Sequence, residues 1–175
     1  MTLLAAVGEP FAGSCGVHVR SNTTGTVMVG STPVAVDTSV ADGNAYVVVP
    51  AVDKQVVTVT GVAGEQETLV LRTLPADNET WKFMMTGCYQ KNTPYWAGNL
   101  AADLNCRLMI MGGDNGYMTQ AFNAFGVNYL AAHDIAHDNP AAQLANMYDY
   151  YEQLWLIPGM RTMRRTVPTF ALVDD

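Results

Sequence analysis

Trp81-Lys82-Phe83-Met84-Met85-Thr86-Gly87-Cys88-Tyr89-Gln90 opens the stretch whose reading decides the fold. Its apolar run has the length of a buried strand, and Gly87 marks the turn that ends it. Farther on, Arg107-Leu108-Met109-Ile110-Met111 is a second such run, and it passes into Gly112-Gly113-Asp114-Asn115-Gly116-Tyr117. Thr169-Phe170-Ala171-Leu172-Val173 is a third, followed by Asp174-Asp175. Between the first two, Thr93-Pro94 supplies an N-cap and a proline at the first helical position, which predicts a helix over 94–105. Asn139-Pro140 starts another, with Leu144, Met147, Tyr148, Tyr151, Leu154 and Trp155 at near-helical spacing. Pro158-Gly159 is read as its stop, and Met160 to Arg165 as a short helix. Strands alternating with helices predict a parallel sheet with crossover helices. Such open sheets bind ligands outside the carboxyl ends of their strands, and each of these three runs ends in a candidate ligand: Cys88, Asp114, and Asp174 or Asp175. Glycine beside the acid lets the backbone turn sharply and bring a carboxylate to a metal or phosphate.

Upstream the pattern differs. Val17-His18-Val19-Arg20, Thr26-Val27-Met28-Val29, Ala45-Tyr46-Val47-Val48-Val49, Gln55 to Thr60 and Glu67 to Leu74 alternate or run β-branched. Asn22 to Gly25, Gly30 to Pro33, Asp42-Gly43-Asn44 and Gly61 to Gly64 separate them, at the roughly eight-to-twelve-residue spacing of short strands in an antiparallel sandwich. Residues 1–75 are therefore expected to form a small antiparallel β-sandwich, immunoglobulin- or fibronectin-like. Residues 76–80 form a polar linker, and residues 81–175 the first half of an α/β sheet. No basic patch, metal cluster or catalytic pairing stands out over 16–74, so that module reads as structural or docking. His18 reads as a packed or surface histidine.

Bulk composition narrows the function. Hydrophobic residues make up 49% of the chain, enough for a sizeable core, and the net charge is −7. An acidic balance, with residues 1–80 holding eight acids against three bases, argues against a duplex nucleic-acid partner. Three cysteines, Cys15, Cys88 and Cys106, do not make a disulfide framework, though one bridge plus a free thiol and three free thiols both remain open. Cys106 reads as a small buried hydrophobe. There is no apolar run long enough for a transmembrane helix, and the first residues lack the basic and apolar regions of a signal peptide. A virion or an extracellular surface stays open as the location.

The ordered set of features resembles the N-terminal part of the PhoD-like alkaline phosphatases and phosphodiesterases of the metallophosphatase superfamily. The features are a small all-β module, the Leu71-Arg72-Thr73-Leu74-Pro75 junction, a strand with Gly87-Cys88, a helix, and a strand with Gly113-Asp114 and Tyr117. A Tyr/Trp-rich helix and Val167-Pro168-Thr169-Phe170-Ala171-Leu172-Val173-Asp174-Asp175 complete it. The resemblance is loose over 16–74 and more specific over 81–175. It implies a bimetallic hydrolase on a four-layer α/β/β/α core, in which Cys88, Asp114 and Tyr117 bind a ferric ion and Asp114 also bridges to calcium. Asn115, Asp174 and Asp175 would be further ligands or neighbours of the metals. Two cations held this way stabilise both the attacking and the leaving oxygen in phosphoryl transfer. The histidine that comes after the Asp-Asp pair in that family is not among these residues, nor are its later ligands, and Gly112-Gly113 carries an extra glycine. The stretch is therefore expected to be incomplete as a catalyst and inactive alone.

Other residues read more plainly. His133 and His137 stand at i and i+4, a spacing able to hold a metal on one helix face, but without a third ligand they read as a surface pair. Arg161, Arg164 and Arg165 read as a solvated helix face rather than a phosphate clamp. Two functions compete: hydrolysis of a phosphate ester with iron and calcium, or a structural or displayed component of a virus particle or other assembly. In the second, the β-module would anchor the chain, protein partners would replace the substrate, and there would be no catalysis.

Overall fold

The computed structural model describes residues 3–86, 96–112, 156 and 158–171. Over them the chain is mostly β-structure, antiparallel and then parallel, with few helices. Strands β1 (Leu3–Phe11), β2 (Ser14–Ser21), β3 (Gly25–Val29) and β4 (Thr32–Val36) come first, then β5 (Asn44–Pro50), β6 (Val56–Thr60) and β7 (Gln66–Val70). After them come β8 (Phe83–Thr86), helix α1 (Trp96–Asp103), β9 (Leu108–Met111), helix α2 (Pro158–Thr166) and β10 (Thr169–Ala171).

The first seven strands form two antiparallel sheets, ordered β1-β2-β5 and β4-β3-β6-β7. Alternation fixes which side chains they bury. Val17 and Val19 of β2, Val27 and Val29 of β3, Val59 of β6 and Leu69 of β7 enter one shared core, with Leu71 just beyond. Cys15 lies in the same core with its thiol free, and burial pushes that thiol up from its ordinary value. Two strands escaped the sequence analysis. Leu3–Phe11 is poor in β-branched residues, yet pairs along β2 from Leu3↔Ser21 to Phe11↔Ser14. Thr32–Val36 contains a proline, which a strand tolerates at a sheet edge, and β4 is the edge of its sheet.

The last three strands form a parallel sheet ordered β10-β9-β8. Its helix-facing side is closed by a methionine-rich core: Met109 and Met111 of β9, Met160 and Met163 of α2, Ala97 and Ala101 of α1, with Cys106 and Val167. Cys106 is buried and free, as a small hydrophobe should be. Thioethers fill the irregular gaps left between short strands and short helices. Gly98 of α1 is buried against α2, where an added Cβ would overlap the carbonyl oxygen of Gly159. The two helices thus touch backbone to backbone. Pro158 and Gly159 begin α2, with proline in its favoured first-turn place, and the helix they were expected to stop lies, but for the helical Leu156, outside the described residues.

The opposite side of the parallel sheet is apolar and open. Phe83 is 56% exposed and Met85 64%, Phe170 is exposed, and Leu108 and Ile110 are only half-buried. Register places Phe83 beside Leu108, and Ile110 between Met85 and Phe170, on this one face. Phe83→Ser combined with Met85→Lys is expected to lower aggregation of the chain without lowering its melting temperature, which light scattering during a thermal ramp would check.

Two clusters of charge join the antiparallel sheets to the later elements. Arg161, Arg164 and Arg165 lie at i, i+3 and i+4 on the side of α2 that faces β1 and β7. Arg164 is 2% exposed and grips the 3%-exposed Glu67 with two parallel bonds, Nη1 to Oε2 at 2.7 Å and Nη2 to Oε1 at 2.9 Å. Its Nη1 also donates to the carbonyl of Ala5 in β1. Arg165 Nε donates to the same carboxylate at 2.9 Å. Arg164 and Arg165 are thus not a solvated face: one inward-pointing carboxylate on β7 gathers them, while Arg161 stays 43% exposed at 3.9 Å from it. In the second cluster Arg107 donates to the Thr73 carbonyl at 2.8 Å and to Glu79 at 3.0 Å, and lies 3.3 Å from Asp53. Arg72 Nε donates to the Thr166 carbonyl at the end of α2 at 3.0 Å.

Candidate functional site at the carboxyl rim of the parallel sheet

The described lengths of the three parallel strands reach one level. Thr86 pairs with Met111, and Met111 with Ala171, so these residues of β8, β9 and β10 lie in one row across the sheet. The Gly112 amide continues the ladder one step, donating to the Thr86 carbonyl at 2.7 Å. At the other end the Arg107 amide donates to Lys82 and the Met109 amide to Pro168, both at 2.8 Å. β9 is central, and neighbouring strands stand about 4.8 Å apart, so the three ends span about 10 Å.

Along the chain, a candidate donor comes shortly after each of these three residues. Cys88 is two residues past Thr86, Asp114 three past Met111, and Asp174 three past Ala171. Cys88, Asp114, Asn115, Tyr117, Asp174 and Asp175 lie outside the described residues, as do His133, His137 and the Tyr148–Trp155 stripe. Among the described residues no three His, Cys, Asp or Glu side chains gather into a group that could hold a metal ion. One described polar atom at the rim is enclosed: Thr86 Oγ1 is buried and has no hydrogen-bond partner among the described residues.

No protein-family model matches the sequence, and no curated protein matches it. A solved structure described as the structure of PhoD superposes with a TM-score of 0.68 over 98% of this chain, at 15% identity. The fold is PhoD-like. The chain spans 38% of the length of that PhoD structure. At this identity the likeness concerns the path of the backbone. It extends over the antiparallel strands as well as the parallel sheet, because nearly the whole chain takes part.

The most enclosed carboxylate among the described residues, Glu67, lies away from this rim and was passed over in the sequence. Burial raises its pKa, but hydrogen bonds from Arg164 and Arg165 outweigh burial and hold the carboxyl below the usual carboxylate range. A signal for it existed. Glu67, Leu69 and Leu71 share one face of an alternating run, so a carboxylate was set at a core position that only a cation could satisfy. No helix among the described residues is long and apolar enough to cross a membrane.

Proposed function

We propose that this chain is the N-terminal part of a metal-dependent phosphoric ester hydrolase of the PhoD type. It would comprise a β-sandwich over 1–75, a linker over 76–80, and the first part of a metallophosphatase-like sheet over 81–175. The observation that carries this reading is the row Thr86–Met111–Ala171 across three parallel strands, with a candidate donor two or three residues farther along each, within a PhoD-like fold. Chain reach supports it: a trans peptide advances at most 3.8 Å between Cα atoms, so Cys88 stays within about 8 Å of the end of β8, and Asp114 within about 11 Å of the end of β9. The metal ligands would be Cys88, Asp114 and Tyr117, with Asn115, Asp174 and Asp175 close by.

The donor set suits the ions that the resemblance implies. A thiolate and a phenolate offset the charge of a ferric ion, and calcium takes carboxylate and carbonyl oxygen. When bound, such ions stabilise negative charge building on a phosphoryl group. This chain's own part would be to bring the segments that carry these donors together from short parallel strands, which the methionine core backs.

The test is an assay of the product of the whole coding sequence on p-nitrophenyl phosphate and on its bis-ester, with and without calcium, together with iron and calcium analysis. Calcium-dependent hydrolysis and near-stoichiometric iron are expected. A metal-free, inactive product that forms a ring or lattice would sink the hydrolase reading and favour the structural one.

A further inference from the structure

The outer face of the β1-β2-β5 sheet holds a polar cluster with no part in the rim. The β1–β2 ladder slips between Val7 and Pro10, so that Gly8 and Glu9 together oppose Gly16. A bulge of this kind re-aims a side chain. Here it carries Glu9 to the face that already bears His18 of β2 and Tyr46 of β5, which are paired across the sheet.

Two glycines make room for the rings. A Cβ on Gly8 would come within 3.0 Å of His18 Cδ2 and 3.1 Å of its Nε2. A Cβ on Gly16 would lie 2.8 Å from Tyr46 Cε2. Both rings therefore lie down on bare backbone, with centroids 4.7 Å apart. Burial, then its hydrogen-bonding and charge contact with Glu9, push the Tyr46 phenol up to about 12, so it remains a neutral donor beside the carboxylate.

The remaining carboxylate oxygen is the telling atom. Glu9 Oε2 is buried and has no hydrogen-bond partner among the described residues. It stands 3.8 Å from His18 Nε2, too far for a hydrogen bond. Two ligands that each meet a zinc ion at about 2.1 Å in a tetrahedron lie about 3.4 Å apart, so a few tenths of an ångström separate the observed gap from that geometry.

We propose that Glu9 Oε2 and His18 Nε2 form a site for a divalent transition-metal ion of the zinc class, with Tyr46 as the positioning residue behind the carboxylate. Water fills the other coordination positions, and the half-exposed side chains leave it free to enter. The site belongs to the antiparallel half and stands whether or not the rim proves to be a phosphoesterase centre.

The experiment titrates the full chain with zinc chloride by calorimetry and follows the His18 ring by NMR. His133→Ala/His137→Ala is the background, since that pair offers a rival site. One zinc ion is expected per chain in that background. Glu9→Gln or His18→Gln should weaken it at least tenfold, and Tyr46→Phe about tenfold, as loss of a supporting group does. Unchanged melting temperatures in the apo variants would confirm that folding is intact. Zinc binding that survives Glu9→Gln and His18→Gln, or vanishes in the His133/His137 background, would overturn the proposal. So would the absence of binding at millimolar zinc.

Discussion

Replacing Glu67 with alanine is expected to destabilise the chain by about 3–5 kcal/mol, because removing one partner of a buried ion pair leaves the other charge buried and uncompensated. Arg164 would keep the Ala5 carbonyl as an acceptor but lose both carboxylate bonds, and Arg165 would lose its own. For a domain of this size that corresponds to a fall in melting temperature on the order of 10 °C. Glu67→Leu combined with Arg164→Met should recover most of the loss, since a well-packed apolar pair of similar volume often matches a buried ion pair. Urea titration of the three proteins measures this. If the single and double variants lose equal stability, the pair is not what holds α2 to β7.

The same carboxylate gives the fold a pH dependence of known sign. The folded pKa of Glu67 is depressed, so its contribution is complete above the unfolded carboxylate value of about 4.3 and disappears as pH falls through the lower folded value. Wild type should therefore lose more stability between pH 5 and strongly acid conditions than Glu67→Gln. Parallel slopes of stability against pH in the two proteins would contradict this.

Gly98→Val is the second large effect, expected at about 3 kcal/mol. The new Cβ would overlap the Gly159 carbonyl oxygen, stand 2.8 Å from the Gly159 carbonyl carbon and lie 3.1 Å from Met163 Cβ. Backbone cannot rotate out of the way as a side chain can, so α1 and α2 must move apart and the methionine core must open. Valine in place of glycine gains only a few tenths of a kcal/mol in helix propensity, far less than the overlap costs. Gly98→Ala gains more propensity and adds less bulk, so it should fall between wild type and Gly98→Val. Melting temperatures that rise across the series Gly, Ala, Val would refute close helix contact.

What could be read from the residues depended on the range of the physics involved. The strands at 83–86 and 108–111 and the helix from Trp96 announce themselves locally, through apolar runs, a Thr-Pro start and glycine stops. Leu3–Phe11 does not, since Leu-Leu-Ala-Ala has no β signature and becomes a strand only by pairing with β2. The arginines of α2 were misjudged because charge on a short helix ordinarily means solvent, and their partner Glu67 is almost a hundred residues away. Glu9, His18 and Tyr46 come from three strands and meet only once a bulge and two bare glycines are in place. The proposed metal ligands were named from a likeness of order and spacing.

The tie between Arg164 and the first strands also bears on synthesis. Ninety-seven residues separate Glu67 from Arg164, so at about 5–20 residues per second the carboxylate waits roughly 5–20 s on the ribosome for its cation. Throughout that interval the early strands carry an inward-facing acid with no counter-charge. The nascent polypeptide therefore cannot lock its opening domain until nearly all of these residues have been made.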